Sequence, residues 1–158
     1  MVTKPVLVGL SVTNETEVGL QLAPLDYNKT GSRIMRLLDM NEDSYYRKFS
    51  RVNVCPHPRS GVIDSKKVRY DVLNLMGVLA ERQCILLGQN VAGCFGVGPA
   101  DYEYCRWYAG NYDLRHYSLG LPLPFDWAVM PHPSGLNRWY NSLENTEMAA
   151  QFLSEAVG

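Results

Sequence analysis

The chain has 158 residues, of which 46% are hydrophobic and 20% are charged, and its formal net charge is −1. This length is typical of one domain with a real hydrophobic core, and the composition is typical of an ordinary globular protein. No apolar run approaches the roughly 20 residues that a membrane-spanning helix requires. The apolar run at 6–10 is too short for a secretory signal. We therefore expect a single domain over 1–158 that is located inside the cell.

The charge is distributed unevenly. Between positions 47 and 69 the sequence has seven basic residues and only one acidic residue, Asp64. Such a cationic segment suits a polyanionic partner, although a solvated loop and helix face is the simpler interpretation when the segment is taken alone.

Four cysteines are widely spaced, and none forms a C-x-x-C pair, which argues against a zinc ribbon or a redox pair. They are Cys55, Cys84, Cys94 and Cys105. The simplest interpretation is that all four are free thiols near the core.

Short apolar runs that end at Gly, Pro or a polar residue predict four β-strands, at 5–10, 51–55, 84–87 and 126–130. Amphipathic stretches between and after them predict helices at 31–40, 64–82, 89–95 and 141–156. This alternation predicts a three-layer α/β/α sandwich with a central four-stranded parallel sheet. The segment 11–30 reads as a long polar loop, and the Tyr-rich segment 101–117 has no clear assignment.

The last predicted strand is followed by Pro-His-Pro-Ser-Gly-Leu-Asn at 131–137. Proline cannot continue a sheet ladder, so His132 should lie just past the strand end on a stiff loop. The carboxyl ends of parallel strands meet at one edge, where open α/β sheets bind ligands. An imidazole, a hydroxyl and a glycine backbone within four residues favour an anion or oxyanion site there.

Four places along 5–140 resemble the uracil-DNA glycosylase superfamily. The strongest is 131–137, which is similar to the H-P-S-P loop of these enzymes with Gly135 in place of the second proline. The other three are Val-Gly-Leu-Ser-Val at 8–12, Val-Asn-Val-Cys-Pro at 52–56 and Ile-Leu-Leu-Gly-x-x-Val-Ala at 85–92. The resemblance implies a monomeric DNA base glycosylase that flips out and hydrolytically excises uracil or a related modified pyrimidine.

The resemblance also implies that no cofactor or metal is needed, since the early cysteine pair of the iron–sulfur branch is missing. His132 would donate a hydrogen bond to the pyrimidine O2, where negative charge develops as the base leaves, and a neutral imidazole can do this. Asn53 would read the uracil edge through its amide. Tyr27 or another aromatic residue of the loop at 20–30 would stack on the flipped base. The base-binding residues implied in this way are Asn53, Tyr27, Gly9 and Leu10.

Contacts to DNA are implied at the same loop. Leu136 resembles the residue that wedges into the gap left by the flipped base, and Ser134 with nearby backbone N–H groups would hold phosphates. The DNA-binding residues implied are Ser134, Gly135, Leu136, Arg138, Arg59 and Lys66. Structural alternatives exist: His132 as an ordinary loop histidine, Asn53 as a partner of turn backbone groups, and Leu136 as a core anchor.

One position departs from the family. The loop after the first strand usually carries Asp, Asn or Glu to orient the attacking water, whereas Ser11 occupies that place here. A hydroxyl can position water but is a poor base, so Asn14 or Glu15, and after them Glu17, are the candidates to replace the acid. The catalytic residues implied are His132, Ser11, Asn14 and Glu15.

The same departure leaves two other classes of function open. One is a non-hydrolytic or altered-specificity member of the fold, which binds a base or nucleotide or processes a different glycosidic substrate. The other is a plain α/β interaction protein with a degenerate pocket.

Overall fold

The structure is a computed structural model that describes residues 3–10, 30–55, 68–111, 120–133 and 137–158. Its central sheet is formed by β1 (Val6–Gly9), β2 (Ser50–Asn53), β3 (Gln83–Leu87) and β4 (Asp126–Met130). Neighbouring strands all run parallel, and their order across the four-stranded sheet is β2-β1-β3-β4. The predicted central four-stranded parallel sheet is therefore confirmed.

Parallel strands need long crossover connections, which are usually helical. The described helices are α1 (Thr30–Leu37), α2 (Glu42–Lys48), α3 (Arg69–Leu79), α4 (Gln89–Cys94) and α5 (Leu143–Val157). Short 3-10 turns occupy Pro99–Asp101 and Arg138–Asn141. None of these helices is both long and apolar enough to cross a lipid bilayer.

Side chains alternate between the two faces of the sheet, and each face has its own hydrophobic core. On β1, Val6 and Val8 belong to one core, while Leu7 belongs to the other. The first core includes buried residues of α3 and α4, and the second includes buried residues of α1, α2 and α5. Helices thus cover both faces, as the predicted three-layer sandwich requires, and this explains why β1, β3 and β4 read as nearly continuous apolar runs.

The register of the strands aligns their carboxyl ends. Gly9 of β1 lies opposite Asn53 of β2, and Leu87 of β3 lies opposite Met130 of β4. Since β1 and β3 also pair in parallel, all four strands end at the same edge of the sheet. This is the edge at which the sequence predicts a ligand site.

The Tyr-rich part of the chain before β4 has no predicted structure, and its described part, 101–111, lies along β4. Tyr104 forms an isolated parallel bridge with Val129, and Tyr108 forms an antiparallel bridge with Trp127. The rings of Tyr108 and Trp127 stack with their centroids 4.5 Å apart. An outer strand that would otherwise present unpaired backbone groups is therefore covered along part of its length.

The helix predicted at 31–40 ends at Leu37, and it is followed by α2, which the sequence analysis does not predict. The Asn41 side chain caps α2 by accepting a hydrogen bond of 2.9 Å from the Ser44 backbone N–H. Tyr45 is its only buried residue. The apolar period of this helix is too sparse to identify it from sequence.

The predicted helix at 64–82 corresponds to α3. Its predicted N-cap, Asp64 or Ser65, lies outside the described residues. The helix ends at Leu79, earlier than expected, because Glu81 takes a positive φ of 64° and β3 begins at Gln83.

The first and third strands and the helix at 89–95 differ from their predicted bounds by one residue at one or both ends, and two other elements shift further. The second strand is predicted at 51–55 but spans Ser50–Asn53. The last helix is predicted from position 141 but begins at Leu143, because Ser142 caps it by accepting a hydrogen bond from the Asn145 backbone N–H.

The cysteines are free thiols, as predicted. Cys55, Cys84 and Cys94 are buried, and Cys105 is partly buried. Burial raises the pKa of the Cys94 thiol to about 11, so this group stays protonated and behaves as a small apolar side chain at neutral pH.

Candidate functional site

A cavity of about 570 Å³ lies at the carboxyl edge of the sheet. This volume is within the range of about 300–1,000 Å³ that is common for small-molecule sites. Its described apolar lining consists of Leu10, Leu87 and Val91, and its described polar lining consists of Gln89, Asn90, Tyr104, His132 and Asn137, with Gly88 between them. The cavity thus joins the ends of β1 and β3, the start of α4, the segment along β4 and the histidine loop.

His132 is held in place by hydrogen bonds to its loop. The Asn137 amide Nδ2 donates to the His132 backbone carbonyl at 2.9 Å, while the Asn137 Oδ1 accepts from the Trp139 backbone N–H at 3.1 Å. One residue earlier, the Tyr140 hydroxyl donates to the buried Pro131 carbonyl at 2.6 Å. The Asn137 amide thus uses both its nitrogen and its oxygen in hydrogen bonds to the backbone, and we infer that Asn137 supports the loop.

Gly88 allows the end of β3 to approach the histidine closely. Its backbone N–H donates to the Met130 carbonyl at 2.8 Å, which ties the end of β3 to the end of β4. Gly88 has φ 104° and ψ 165°, a conformation that is essentially restricted to glycine. A Cβ atom at Gly88 would lie 3.1 Å from the Cβ of His132, which is tighter than an ordinary van der Waals contact.

The imidazole of His132 is mostly buried, and this burial lowers its pKa below the ordinary value, because the charged form loses its hydration. The neutral form therefore dominates at neutral pH. A neutral imidazole has one N–H to donate and one nitrogen that accepts. Among the described residues that line the cavity none is acidic, so no described carboxylate opposes negative charge on a ligand.

Asn53 ends β2 at the same edge of the sheet, but it lies on one outer strand while His132 follows the other. Two strands lie between these outer strands, so the outer strands are three strand spacings apart, which is roughly 14 Å. Asn53 is half-buried and lies opposite Gly9, the residue before Leu10. It is therefore next to the strand that ends at the cavity, although it is not among the described residues that line it.

The other predicted site residues fall into two groups. Gly9, at the end of β1, and Arg138, exposed on the 3-10 turn after the histidine loop, are described but are likewise not among the described lining residues. The remaining predicted residues, Ser11, Asn14, Glu15, Tyr27, Arg59, Lys66, Ser134, Gly135 and Leu136, lie outside the described residues. Of the predicted set, the structure brings Leu10 and His132 together in one cavity.

Three lining residues, Gln89, Asn90 and Tyr104, have no role predicted from the sequence. Gln89 and Asn90 directly follow Gly88, so the predicted strand end carried a signal for them. Tyr104 carried no such signal, because its position depends on pairing with a strand more than 20 residues away.

The sequence matches no protein-family model, and no curated protein sequence matches it at a significant level.

We predict that Gly88→Ala destabilises the protein by about 1–3 kcal/mol, because alanine is strained in this backbone conformation and its Cβ meets His132. The free energy of unfolding, measured by urea denaturation, tests this. Gly77→Ala is the matched control: nothing lies within 4 Å of its added Cβ. In the interior of α3 this change should stabilise by about 0.5–1 kcal/mol. Equal effects at both glycines would contradict the close contact.

We also predict that His132 titrates below about 6.5, the ordinary histidine pKa. The unfolded chain then binds this proton more readily than the folded chain. The stability linked to the neutral imidazole is complete above the unfolded pKa and is lost as the pH falls through it towards the folded pKa. NMR titration of the imidazole and urea denaturation at several pH values measure both quantities.

The control for this titration is His132→Gln, which keeps the other two histidines of the chain. Its free energy of unfolding should fall less than that of the wild type over the same acidic range. A titration midpoint for His132 at or above the ordinary histidine pKa would show that burial does not destabilise the charged imidazole.

Proposed function

We propose that this protein is a DNA base glycosylase that extrudes uracil or a related modified pyrimidine and cleaves its bond to deoxyribose hydrolytically. The observation that carries the proposal is a mostly buried, neutral His132 that is braced beside a cavity at the carboxyl edge of a parallel sheet. The resemblance of 131–137 to the H-P-S-P loop of uracil-DNA glycosylases supports it.

The chemistry suits such an arrangement. When an N-glycosidic bond breaks, the sugar becomes oxocarbenium-like and the base leaves as an anion. A fixed N–H donor in a partly dry cavity stabilises that anion more strongly than it stabilises the neutral base, which lowers the barrier. A cavity of about 570 Å³ is large enough for a nucleobase that has left the duplex.

In this proposal the attacking water is oriented from the loop after β1. Ser11, Asn14 and Glu15 are the residues proposed for that role, and Glu17 is a further candidate. DNA would be held through Ser134, Gly135, Leu136, Arg138, Arg59 and Lys66, and the protein would act as a monomer inside the cell without a cofactor or metal.

A second candidate function is a non-hydrolytic member of the same fold that binds a base or nucleotide. The observation that favours it is the chemistry of the cavity: none of the described lining residues is a carboxylate, and Ser11 follows Leu10 where the family has an acid. Such a protein would bind the ligand without activating water.

The first test is an oligonucleotide with one uracil, incubated with the protein and then with alkali. We expect strand scission at the uracil, and we expect His132→Ala to lower the excision rate by about 100-fold or more, the usual effect of removing a donor to a developing anion. Gln151→Ala is the control, since Gln151 is exposed on α5 and its amide donates a hydrogen bond to Glu155 on the same helix. Its rate should equal that of the wild type.

Two outcomes would count against the glycosylase. Binding of uracil-containing DNA without scission, and without preference among modified bases, would favour the second candidate. Scission that persists in His132→Ala would remove the imidazole from the reaction.

We further predict that Asn53→Asp weakens uracil excision by about tenfold or more. An aspartate cannot donate to uracil O4, and the lost hydrogen bond costs about 1–3 kcal/mol. The same change should improve the relative excision of cytosine, whose amino group can donate to the new carboxylate. Rates on matched uracil and cytosine oligonucleotides measure this preference.

The matched control makes the same chemical change at Asn74, which is exposed on α3. Asn74→Asp should leave the base preference as it is in the wild type. If Asn53→Asp also leaves it unchanged, Asn53 does not read the base.

A further inference from the structure

Tyr104 is carried to the cavity by pairing along β4. It bridges Val129, and the next backbone N–H, that of Cys105, donates to the Val129 carbonyl at 2.9 Å. Cys105 has a positive φ of 59°, so the chain turns sharply there and keeps this register. The position of Tyr104 is thus set by the sheet.

The ring of Tyr104 is held on several sides. The Gln89 amide Nε2 donates to its hydroxyl at 3.0 Å. Its ring centroid lies 5.7 Å from that of Tyr102 and 6.0 Å from that of Trp139. A ring that is already ordered loses little further conformational entropy when a ligand packs against it.

Tyr104 is nevertheless only half-buried, and it lines the same cavity as His132. The other described polar groups of the lining are the amides of Gln89, Asn90 and Asn137, and no described lining side chain carries a full charge at neutral pH. Among the described lining residues, a phosphate or carboxylate would find no cation. An aromatic ring beside amides and a neutral imidazole suits a flat, uncharged ring with hydrogen-bonding edges, such as a nucleobase.

We propose that Tyr104 is a direct ligand contact, whose ring packs against the planar ring of a nucleobase while His132 bonds to the edge of that base. Gln89 is a positioning residue that orients the tyrosine through its hydroxyl. The contact extends the proposed function. It rests on that function for one point, namely that the base is a pyrimidine rather than a purine. It also predicts recognition of the free base, without the DNA backbone.

The test is titration of wild type and variants with free uracil, followed by isothermal calorimetry and by the NMR signals of the Tyr104 ring. Tyr104→Leu removes the ring and should weaken uracil binding by about tenfold, which is within the usual worth of an aromatic pair. Tyr104→Phe keeps the ring and loses the hydroxyl to which Gln89 bonds, so it should weaken binding by less than about threefold. The ring signals should shift on addition of uracil.

Tyr70→Leu is the matched control, because Tyr70 is 75% exposed on α3 and the chemical change is the same. It should bind uracil as the wild type does. Urea denaturation of each variant shows whether it is folded. If Tyr104→Leu is unstable, the ring signals of wild-type Tyr104 decide: no shift on addition of uracil contradicts the contact. In the excision assay, a contact of this kind should raise KM more than it lowers kcat.

The outcomes separate this contact from the proposed function. Binding of uracil that depends on Tyr104, in a protein that excises no base, supports the contact and contradicts the glycosylase. Excision and uracil binding that are both unchanged in a folded Tyr104→Leu variant contradict the contact and leave the glycosylase intact. A wild-type protein that binds neither uracil, thymine, cytosine nor adenine as free bases overturns the contact.

Discussion

The contact between Gly88 and His132 is the constraint on which the rest of the cavity depends. The Gly88 N–H bonds to the Met130 carbonyl, so the ends of β3 and β4 are tied together just before the chain turns into the histidine loop. Because Gly88 has no side chain, the imidazole can lie directly over this junction. The start of α4, which follows Gly88, is thereby brought to the same cavity. The one residue that can adopt this backbone conformation is thus also the one that leaves space for the histidine.

The brace around the loop links this junction to the core on the other side of the sheet. Tyr140 belongs to the core that α1 and α5 cover, and its hydroxyl donates to the Pro131 carbonyl. Burial raises the pKa of Tyr140, so the hydroxyl keeps its proton and remains a donor. The guanidinium of Arg33, on α1, lies 5.5 Å from the centre of the same ring. Pro131 and His132 are therefore held by tertiary hydrogen bonds as well as by the restricted proline backbone, and a preorganised donor of this kind needs little rearrangement when charge develops on a ligand.

Much of the fold could be predicted from sequence because β1, β3 and β4 are largely buried apolar runs, and β3 and β4 are followed at once by Gly88 and Pro131. The same reasoning placed His132 and Leu10 at the edge where the cavity lies. It missed α2, whose only buried residue is Tyr45, since a helix with one buried side chain shows no clear apolar period. Sequence pattern also says nothing about the lateral order of strands, which is why the distance between Asn53 and His132 emerged only from the order β2-β1-β3-β4. Tyr104 was inaccessible to such reasoning for a related reason, since it reaches the cavity through non-local pairing with β4.

The segment that carries Tyr104 covers part of the edge strand β4 and also places an aromatic side chain at the cavity. An outer parallel strand leaves backbone donors and acceptors open to other chains, and the backbone bonds of 105 and 108 to β4 satisfy part of this edge. The stacked rings of Tyr108 and Trp127 hold the segment down further along the strand. Edge protection alone would need no aromatic side chain at the cavity, and it would not need the Gln89 amide to bond the tyrosine hydroxyl. The Tyr102 and Trp139 rings and the Gln89 amide already order Tyr104, and the described lining beside it is neutral and rich in amides. On this basis we propose a flat, uncharged ring as the partner of Tyr104.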